Sequence, residues 1–481
     1  MANVLIIRPI SQSWEGEKYY RSLSIPHGPL TLAGHLIDKG FSAHIIDEIA
    51  MTEYIENEDI VASAVKKLKE ELNKEVPICV GITSMTGEQI RRGKIFASVV
   101  REFDKNIPIV WGGAHPTLLP DMTMQDNLVD IIATGEGDIS FPILVDELKK
   151  NGTGDLSKVP GIVYIDKDTK NIKRTKQPPL YRMDDMPAYP YHLLDMEVYI
   201  KGIKKKKITR YFEINSSRGC PYKCSFCLNS KEGIPYTKSR ADRIIEEMKV
   251  LKESYNIDGI LFNDENFILN KKRIREIAQA CIDLDLKFNM RGSGRVELFL
   301  KFDDKDLALF KKAGFYHWGL GVESGSDKTL KDIQKDITEE QIYSVVDALT
   351  KHKFEATYNF IGGFPYETVE EYKKTLKVIH YIFEKCTYMV YPVAPPRFYT
   401  PLPGTKSCDE AVKLGYKLPE TMDEWARIDY NRADEMPWIN KDLHDLVIES
   451  RDIINDINRK FIGDNAIITK NDLAPLKALL N

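Results

Sequence analysis

The stretch Cys220-Pro221-Tyr222-Lys223-Cys224-Ser225-Phe226-Cys227 constrains the chain more than any other. It sets three cysteines at spacing CxxxCxxC, just past an apolar run from Tyr211 to Ser217. A loop this short brings three thiolates onto one small object. Thiolates are soft ligands and suit iron–sulfur clusters or zinc. Three ligands for a four-iron cluster leave one iron without a protein ligand, and an open metal position is where a substrate binds. A zinc knuckle needs a fourth Cys or His close by, and the next candidates, Cys281 and His192, are distant in sequence.

The chain has 481 residues, enough for two or three domains with full cores. A net charge of −4 gives no global field favouring nucleic acid or an anionic membrane. The one basic block, Lys204 to Lys207, reads as a solvated linker. The four other cysteines, Cys79, Cys281, Cys386 and Cys408, are scattered and outline no disulfide framework, which fits a reducing, cytoplasmic setting. The first ten residues read as a buried strand rather than a signal peptide. No apolar run is long enough to span a bilayer.

Over residues 1–150, strand candidates (Val4 to Arg8, Ala43 to Asp47, Ile78 to Thr83, Ile107 to Trp111, Asp130 to Ala133) alternate with helical patterns. Unalternating, β-branched runs suit a parallel sheet covered on both faces. The expectation is an α/β, doubly wound domain of flavodoxin-like order, with any ligand outside the carboxyl ends of the strands. Those ends carry Thr83, Ser84 and Met85; Gly112, Gly113, His115, Pro116 and Thr117; and Gly135, Glu136 and Gly137. Paired glycines let a flat ligand approach the backbone. Residues 151–205, with a hairpin followed by Pro178, Pro179, Pro187 and Pro190, read as a tether between domains.

Residues 206–405 count as six strand–helix units, the strands lying near Tyr211–Ser217, Gly259–Asn263, Lys287–Arg291, His317–Val322, Ala356–Ile361 and Tyr388–Val393. This alternation makes a partial (β/α)6 barrel whose active site lies at the carboxyl ends of the strands. Residues 406–481 read as a small, mainly helical cap.

The cysteine spacing resembles the signature of the radical SAM superfamily, in which S-adenosylmethionine binds the open iron of a [4Fe–4S] cluster and is split to a 5′-deoxyadenosyl radical. Further stretches match that family in order: Asn263-Asp264-Glu265-Asn266-Phe267, Gly321-Val322-Glu323-Ser324-Gly325, Gly362-Gly363-Phe364-Pro365-Tyr366-Glu367-Thr368 and Pro403-Gly404-Thr405. The first 150 residues resemble the cobalamin-binding domain that precedes many radical SAM domains. They lack the Asp-x-His-x-x-Gly motif whose histidine ligates cobalt. His115 either takes that role or orders its own turn.

The resemblance implies Cys220, Cys224 and Cys227 as cluster ligands. It implies S-adenosylmethionine contacts from Phe226, Asn263, Asp264, Glu265, Arg291, Arg295, Glu323, Ser324, Gly362, Gly363 and Pro365, with Lys335 either a further contact or a surface lysine. The strand-end residues of the first domain would hold cobalamin. Tyr391, Tyr399, Trp425 and Tyr430 are candidate substrate contacts, with core packing the alternative for the aromatics. The implied activity is methylation of an unactivated carbon through methylcobalamin; the alternative keeps the cofactors but performs cyclisation, ring contraction or carbon–carbon coupling. A tRNA-modifying methylthiotransferase would need three N-terminal cysteines, and only Cys79 lies there. A cobalamin carrier would leave the S-adenosylmethionine motifs without purpose. The expected setting is anaerobic and monomeric, with an electron donor such as flavodoxin or ferredoxin, no nucleic-acid partner, and a small-molecule, lipid or peptide substrate.

Overall fold

The computed structural model describes residues 4–11, 24–51, 59–203, 208–230, 235–389, 391–428, 436–460 and 468–480. They fall into two compact units, Met1–Tyr199 with Leu418–Asp429, and Ile200–Lys417 with Tyr430–Asn481.

The first unit is built on β1 (Val4–Arg8), β2 (Ala43–Asp47), β3 (Cys79–Thr83), β4 (Ile109–Gly112), β5 (Ile131–Ala133), β6 (Ile162–Ile165) and β7 (Ile172–Arg174). The sheet order is β2-β1-β3-β4-β5-β6-β7. The first five strands are parallel and doubly wound in the order 2-1-3-4-5. β1 is buried on both faces, as an unalternating apolar strand between helical layers must be.

Two boundaries differ from the sequence expectation. The hairpin placed in a 151–205 tether is part of this sheet, because β6 pairs antiparallel with β5 and satisfies its edge. The chain then stays with the unit as far as Tyr199, whose hydroxyl donates to Asp47 Oδ2 at 2.5 Å. Residues 418–428, assigned to the cap, also belong here. Met422, Trp425 and Ala426 are buried in the core with Ile90, Phe96 and Trp111, and Asp423 pairs with Lys94 at 2.6 Å. An apolar triplet in a short polar segment must find a core, and it finds this one.

The second unit contains β8 (Lys201–Ile203), β9 (Ile208–Ile214), β10 (Ser217–Arg218), β11 (Thr237–Lys238), β12 (Gly259–Phe262), β13 (Asn289–Arg295), β14 (Phe315–Glu323), β15 (Glu355–Gly362) and β16 (Arg397–Phe398). Its main sheet runs β16-β15-β14-β13-β12-β9-β8, a curled half-barrel, parallel from β16 to β9 with β8 antiparallel at the edge. β10 and β11 form a separate ribbon. The sixth barrel strand, expected at Tyr388–Val393, is the two-residue β16; among the described residues of the expected stretch, Val393 alone forms a bridge to β15. Pro392, Pro395 and Pro396 withhold the amide donors a longer strand requires.

The sheet's two faces differ in chemistry. Met290, Trp318, Leu320, Ala356 and Tyr358 are wholly buried on the helix-covered face. Trp318 packs there against Phe299, Phe310 and Phe354. On the other face the register aligns Arg291 with His317, Ser293 with Gly319 and Thr357, and Gly321 with Asn359. This inner face is polar and rich in glycine. The C-terminal helix Lys441–Lys460 is not a lid over it. It packs on the outer helix Val369–Lys385, where Tyr372 and Ser450 hydroxyls meet at 2.9 Å, and Asn458 donates to the Val393 carbonyl at 2.7 Å.

Candidate active site

β9 ends at Ile214, and the chain turns through Gly219, at φ +72°, into the cysteine loop. Several bonds fix the loop. Ser225 N donates to the Ile333 carbonyl at 2.9 Å, its hydroxyl meets that of Ser407 at 2.7 Å, and Cys227 N donates to the Cys224 carbonyl at 3.0 Å. Cys224 is buried, while Cys220 and Cys227 are partly exposed. Arg295, at the end of β13 and itself buried, donates from Nη1 to Cys224 Sγ at 2.9 Å. Its guanidinium lies 3.9 Å from the centre of the Tyr222 ring. One cation therefore clamps two residues of the CxxxCxxC stretch. Asn266 Nδ2 lies 4.0 Å from Cys220 Sγ, and its buried Oδ1 has no hydrogen-bond partner.

These donors fit a [4Fe–4S] cluster. Burial pushes the Cys227 thiol up, opposed by the Asn229 amide, and the Arg295 guanidinium, which also pairs with Glu297, faces the Cys224 sulfur. Among the described residues no group of three Cys, His, Asp or Glu side chains closes on a single ion. The remaining cysteines are different in kind. Burial pushes the thiols of Cys79, Cys281, Cys386 and Cys408 up to about 12, which keeps them protonated.

Beside this loop stands Glu323, at the carboxyl end of β14 and at φ +70°, a conformation side chains rarely adopt. Its carboxylate pairs with Lys335 Nζ at 2.8 Å, and both residues are buried. A Cβ on Gly321 would stand 2.5 Å from Glu323 Oε1, so the pair requires that glycine. Arg295 Nη2 donates to the Lys335 carbonyl. Contacts thus run unbroken from Cys224 through Arg295 and Lys335 to Glu323. Phe226 packs on Phe364, ring centres 5.6 Å apart. The Gly363–Glu367 turn is stapled by Glu367, whose Oε2 accepts from the Gly363 amide at 2.6 Å. Burial raises the Glu367 carboxyl to about 8. Trp438 Nε1 donates to the Gly363 carbonyl at 2.9 Å.

The other expected contacts divide between residues held in the fold and residues left at the surface. Asp264 accepts from Ser216 N at 2.7 Å, from the Ser216 and Ser217 hydroxyls at 2.6 and 2.5 Å, and from Arg273 at 3.4 Å. It ties the end of β9 to the end of β12, with three of its four bonds falling on Oδ2. Ser324 is fully buried against Thr375. Gly362 is glycine because a Cβ would meet Tyr372 at 2.8 Å and Val447 at 3.0 Å. Pro365 lies within the stapled turn. Asn263 and Glu265 are exposed at the end of β12. Arg291 lies four residues before Arg295 on the same strand, away from the cysteines. Tyr399 packs with Phe364 and Ile333. Tyr391 is partly exposed, and its carbonyl accepts from Thr357 at 3.1 Å. Trp425 is core of the first unit, and Tyr430 lies outside the described residues.

In the first unit the expected cobalamin residues divide. His115 is fully buried; Thr86 Oγ1 lies 3.2 Å from its Nδ1, and its ring meets Trp425 edge to face at 5.9 Å. Burial pushes its imidazole down to about 4. Its Nδ1 bonds to the Thr86 loop, and its Nε2 is buried without a hydrogen-bond partner among the described residues. Ser84 is equally buried, and Gly113, at φ +95°, is forced by the Ser84 carbonyl, which a Cβ would meet at 2.7 Å. Thr83 Oγ1 borders the same point, and Pro116 is buried. Thr117 donates to the Gly113 carbonyl at 2.7 Å and accepts from Gly135 N at 3.0 Å. Gly112 is half-buried, and Gly137 is pressed on Leu32. Met85, Gly135 and Glu136 remain exposed at the rim. An exposed methionine and a bare backbone at strand ends fit the edge of a large flat ligand.

Sequence reasoning named Asn266 only as part of a motif and passed over Tyr222, Glu367 and His317. The signal for Tyr222 and Glu367 was their fixed place inside the matched motifs. His317 had none, since a histidine within a strand is not distinctive.

A cysteine triplet at the carboxyl end of the first parallel strand of an α/β half-barrel defines a class of enzyme that opens S-adenosylmethionine on an iron–sulfur cluster. Residues 214–379 match the model of the radical SAM superfamily, and the chain belongs to that superfamily. It is 30% identical over 408 residues to an uncharacterised methyltransferase of Pyrococcus horikoshii, covering 83% of this chain and 82% of that one. It is 29% identical over 349 residues to an anaerobic magnesium-protoporphyrin IX monomethyl ester cyclase of Rubrivivax gelatinosus, covering 72% and 60%. Its fold is similar to that of the radical S-adenosylmethionine methyltransferase TsrM from Kitasatospora setae, solved with cobalamin and a [4Fe–4S] cluster. The TM-score is 0.67 at 16% identity, covering 86% of this chain and 79% of that one.

Proposed function

We propose that the protein is a cobalamin-dependent radical SAM methylase acting on an unactivated carbon. The observation that carries the radical SAM part of this reading is the clamped cysteine loop joined through Arg295 and Lys335 to the strained Glu323. When bound, the cluster and S-adenosylmethionine supply a hydrogen-abstracting radical and cobalamin supplies a transferable methyl group. The chain's own residues do the positioning. Cys220, Cys224 and Cys227 present three ligands; Arg295 holds Cys224 beside a fixed positive charge. Glu323, its rotation limited by Lys335, offers carboxylate oxygens for hydroxyl or ammonium groups. Phe226 and the Gly363 turn form an apolar wall. Met85, Gly135 and Glu136 would border cobalamin in the first unit.

The methyltransferase from Pyrococcus horikoshii and the cobalamin-bound fold neighbour support the methylase reading. The similarity to a cyclase supports the second reading, in which the same cofactors close a ring without methyl transfer.

The products of S-adenosylmethionine separate the two. Protein reconstituted without oxygen is supplied with a reductant and methyl-labelled S-adenosylmethionine. A methylase yields 5′-deoxyadenosine together with S-adenosylhomocysteine. 5′-Deoxyadenosine alone would favour the cyclase reading, and neither product would contradict both.

A further inference from the structure

The inner face of the half-barrel carries a second polar centre, away from the cysteine loop. Arg291 is half-buried there. Its Nε donates to His317 Nδ1 at 3.4 Å, and its guanidinium carbon lies 6.0 Å from the Tyr211 ring centre. An accepting Nδ1 places the His317 proton on Nε2, which donates to Thr357 Oγ1 at 3.0 Å; Thr357 in turn donates to the Tyr391 carbonyl at 3.1 Å. This chain of bonds fixes the guanidinium from one side across three strands. No carboxylate among the described residues pairs with Arg291. Two carboxylates share this face: Glu213, which acts with Arg291 on the Tyr211 hydroxyl, and Glu355, which acts with Arg291 on Tyr316. The buried Tyr211 hydroxyl faces the Arg291 guanidinium. A half-buried guanidinium that no carboxylate pairs directly presents a planar fork that matches a carboxylate or phosphate.

A second observation lies between this centre and the cysteines. Gly319 has no positive φ, and a Cβ there would meet nothing closer than 3.6 Å. Neither backbone conformation nor packing requires glycine. Its bare backbone, opposite Ser293 and Thr357, leaves the floor of the inner face clear.

We infer that Arg291, His317 and Tyr211 form an anion subsite, and that the substrate is an elongated molecule with a carboxylate or phosphate at the end remote from the reacting carbon. This rests on the inner face being the substrate face of the proposed enzyme. Four residues of strand separate Arg291 from Arg295, a rise of about 13 Å. A substrate seated on Arg291 and reacting near the cysteines spans on the order of that length.

The test uses the reconstituted full chain and two probes, suberate (an eight-carbon dicarboxylate) and inorganic phosphate, with binding measured by calorimetry. The subsite predicts saturable binding of at least one. Arg291→Gln weakens it about tenfold or more, and Arg291→Lys recovers part of it. Gly319→Val blocks suberate more than phosphate. Tighter suberate binding assigns a carboxylate, and tighter phosphate binding a phosphate. Iron content and near-ultraviolet circular dichroism verify that each variant is folded. The inference is overturned if neither anion binds, if Arg291→Gln binds both as wild type does, or if Arg291→Gln loses S-adenosylmethionine binding while keeping the anions. Failure of the enzymatic reading shows separately, as wild-type protein that binds the anion but never cleaves S-adenosylmethionine.

Discussion

Arg295 is the residue on which the cysteine loop depends. Its cation and N–H face Cys224 Sγ at 2.9 Å, and its plane covers Tyr222. Positive charge and hydrogen bonds to a ligating sulfur favour the reduced, more negative cluster. Arg295→Leu should therefore lower the cluster's midpoint potential by on the order of 50 mV, about a tenfold change in a one-electron equilibrium, with Arg295→Lys in between. A redox titration followed by EPR checks this; an unchanged potential would mean that Arg295 only packs the loop. The three cysteines were readable because their spacing is itself chemistry. Arg295 was readable only as a strand-end cation. Its partner, a cysteine 71 positions earlier, emerges only when β13 folds beside the loop. Asp264 shows the converse: an acid at a motif position reads as a ligand contact, and four hydrogen bonds give it a place in the fold as well.

At the scale of elements, the turn after β15 makes a pH-dependent prediction. Glu367 is protonated in the folded protein up to about pH 8, whereas an unfolded glutamate releases its proton near 4.5. The folded state then binds more protons than the unfolded state between these values. Stability contributed by this group is full below about 4.5 and declines as pH rises toward 8, by up to about 1.4 kcal/mol per pH unit. Glu367→Gln keeps an acceptor for the Gly363 amide and removes the titration. Its urea midpoint should vary less from pH 5 to 8 than the wild-type midpoint; equal slopes would place the proton elsewhere. The strands of the first unit were legible because a strand buried on both faces writes itself as an unbroken apolar run. The sixth barrel strand was misplaced because Tyr388–Val393 has the composition of a strand, while the prolines around it decide where amides can pair. The strand expected near Lys287–Arg291 runs on to Arg295, since Gly292 and Gly294 accommodate Phe267, Trp318 and Ile268 rather than a turn.

At the scale of the whole molecule, each unit is assembled from distant parts of the chain. The first recruits residues 418–428, with Trp425 only 1% exposed in its core. Removing so large a buried side chain costs about 4 kcal/mol. Trp425→Ala should weaken cobalamin retention and lower the first unfolding transition while leaving iron content near wild type. Iron and cobalamin assays alongside calorimetry check this, and loss of iron with cobalamin kept would contradict it. This exchange was not legible. The sequence periodicity of a short amphipathic segment shows that it will be buried but not in which core. Among the described residues no helix is long and apolar enough to cross a membrane.

Cofactor content of protein reconstituted anaerobically tests the central claim most directly. The account predicts about four iron and four sulfide per chain, lost together when Cys220, Cys224 and Cys227 are replaced by alanine, and one cobalamin retained by that triple variant. Iron that survives the triple replacement, or zinc bound in its place, would contradict the assignment of the cysteine loop. A cluster without cobalamin at excess would contradict the role proposed for the first unit.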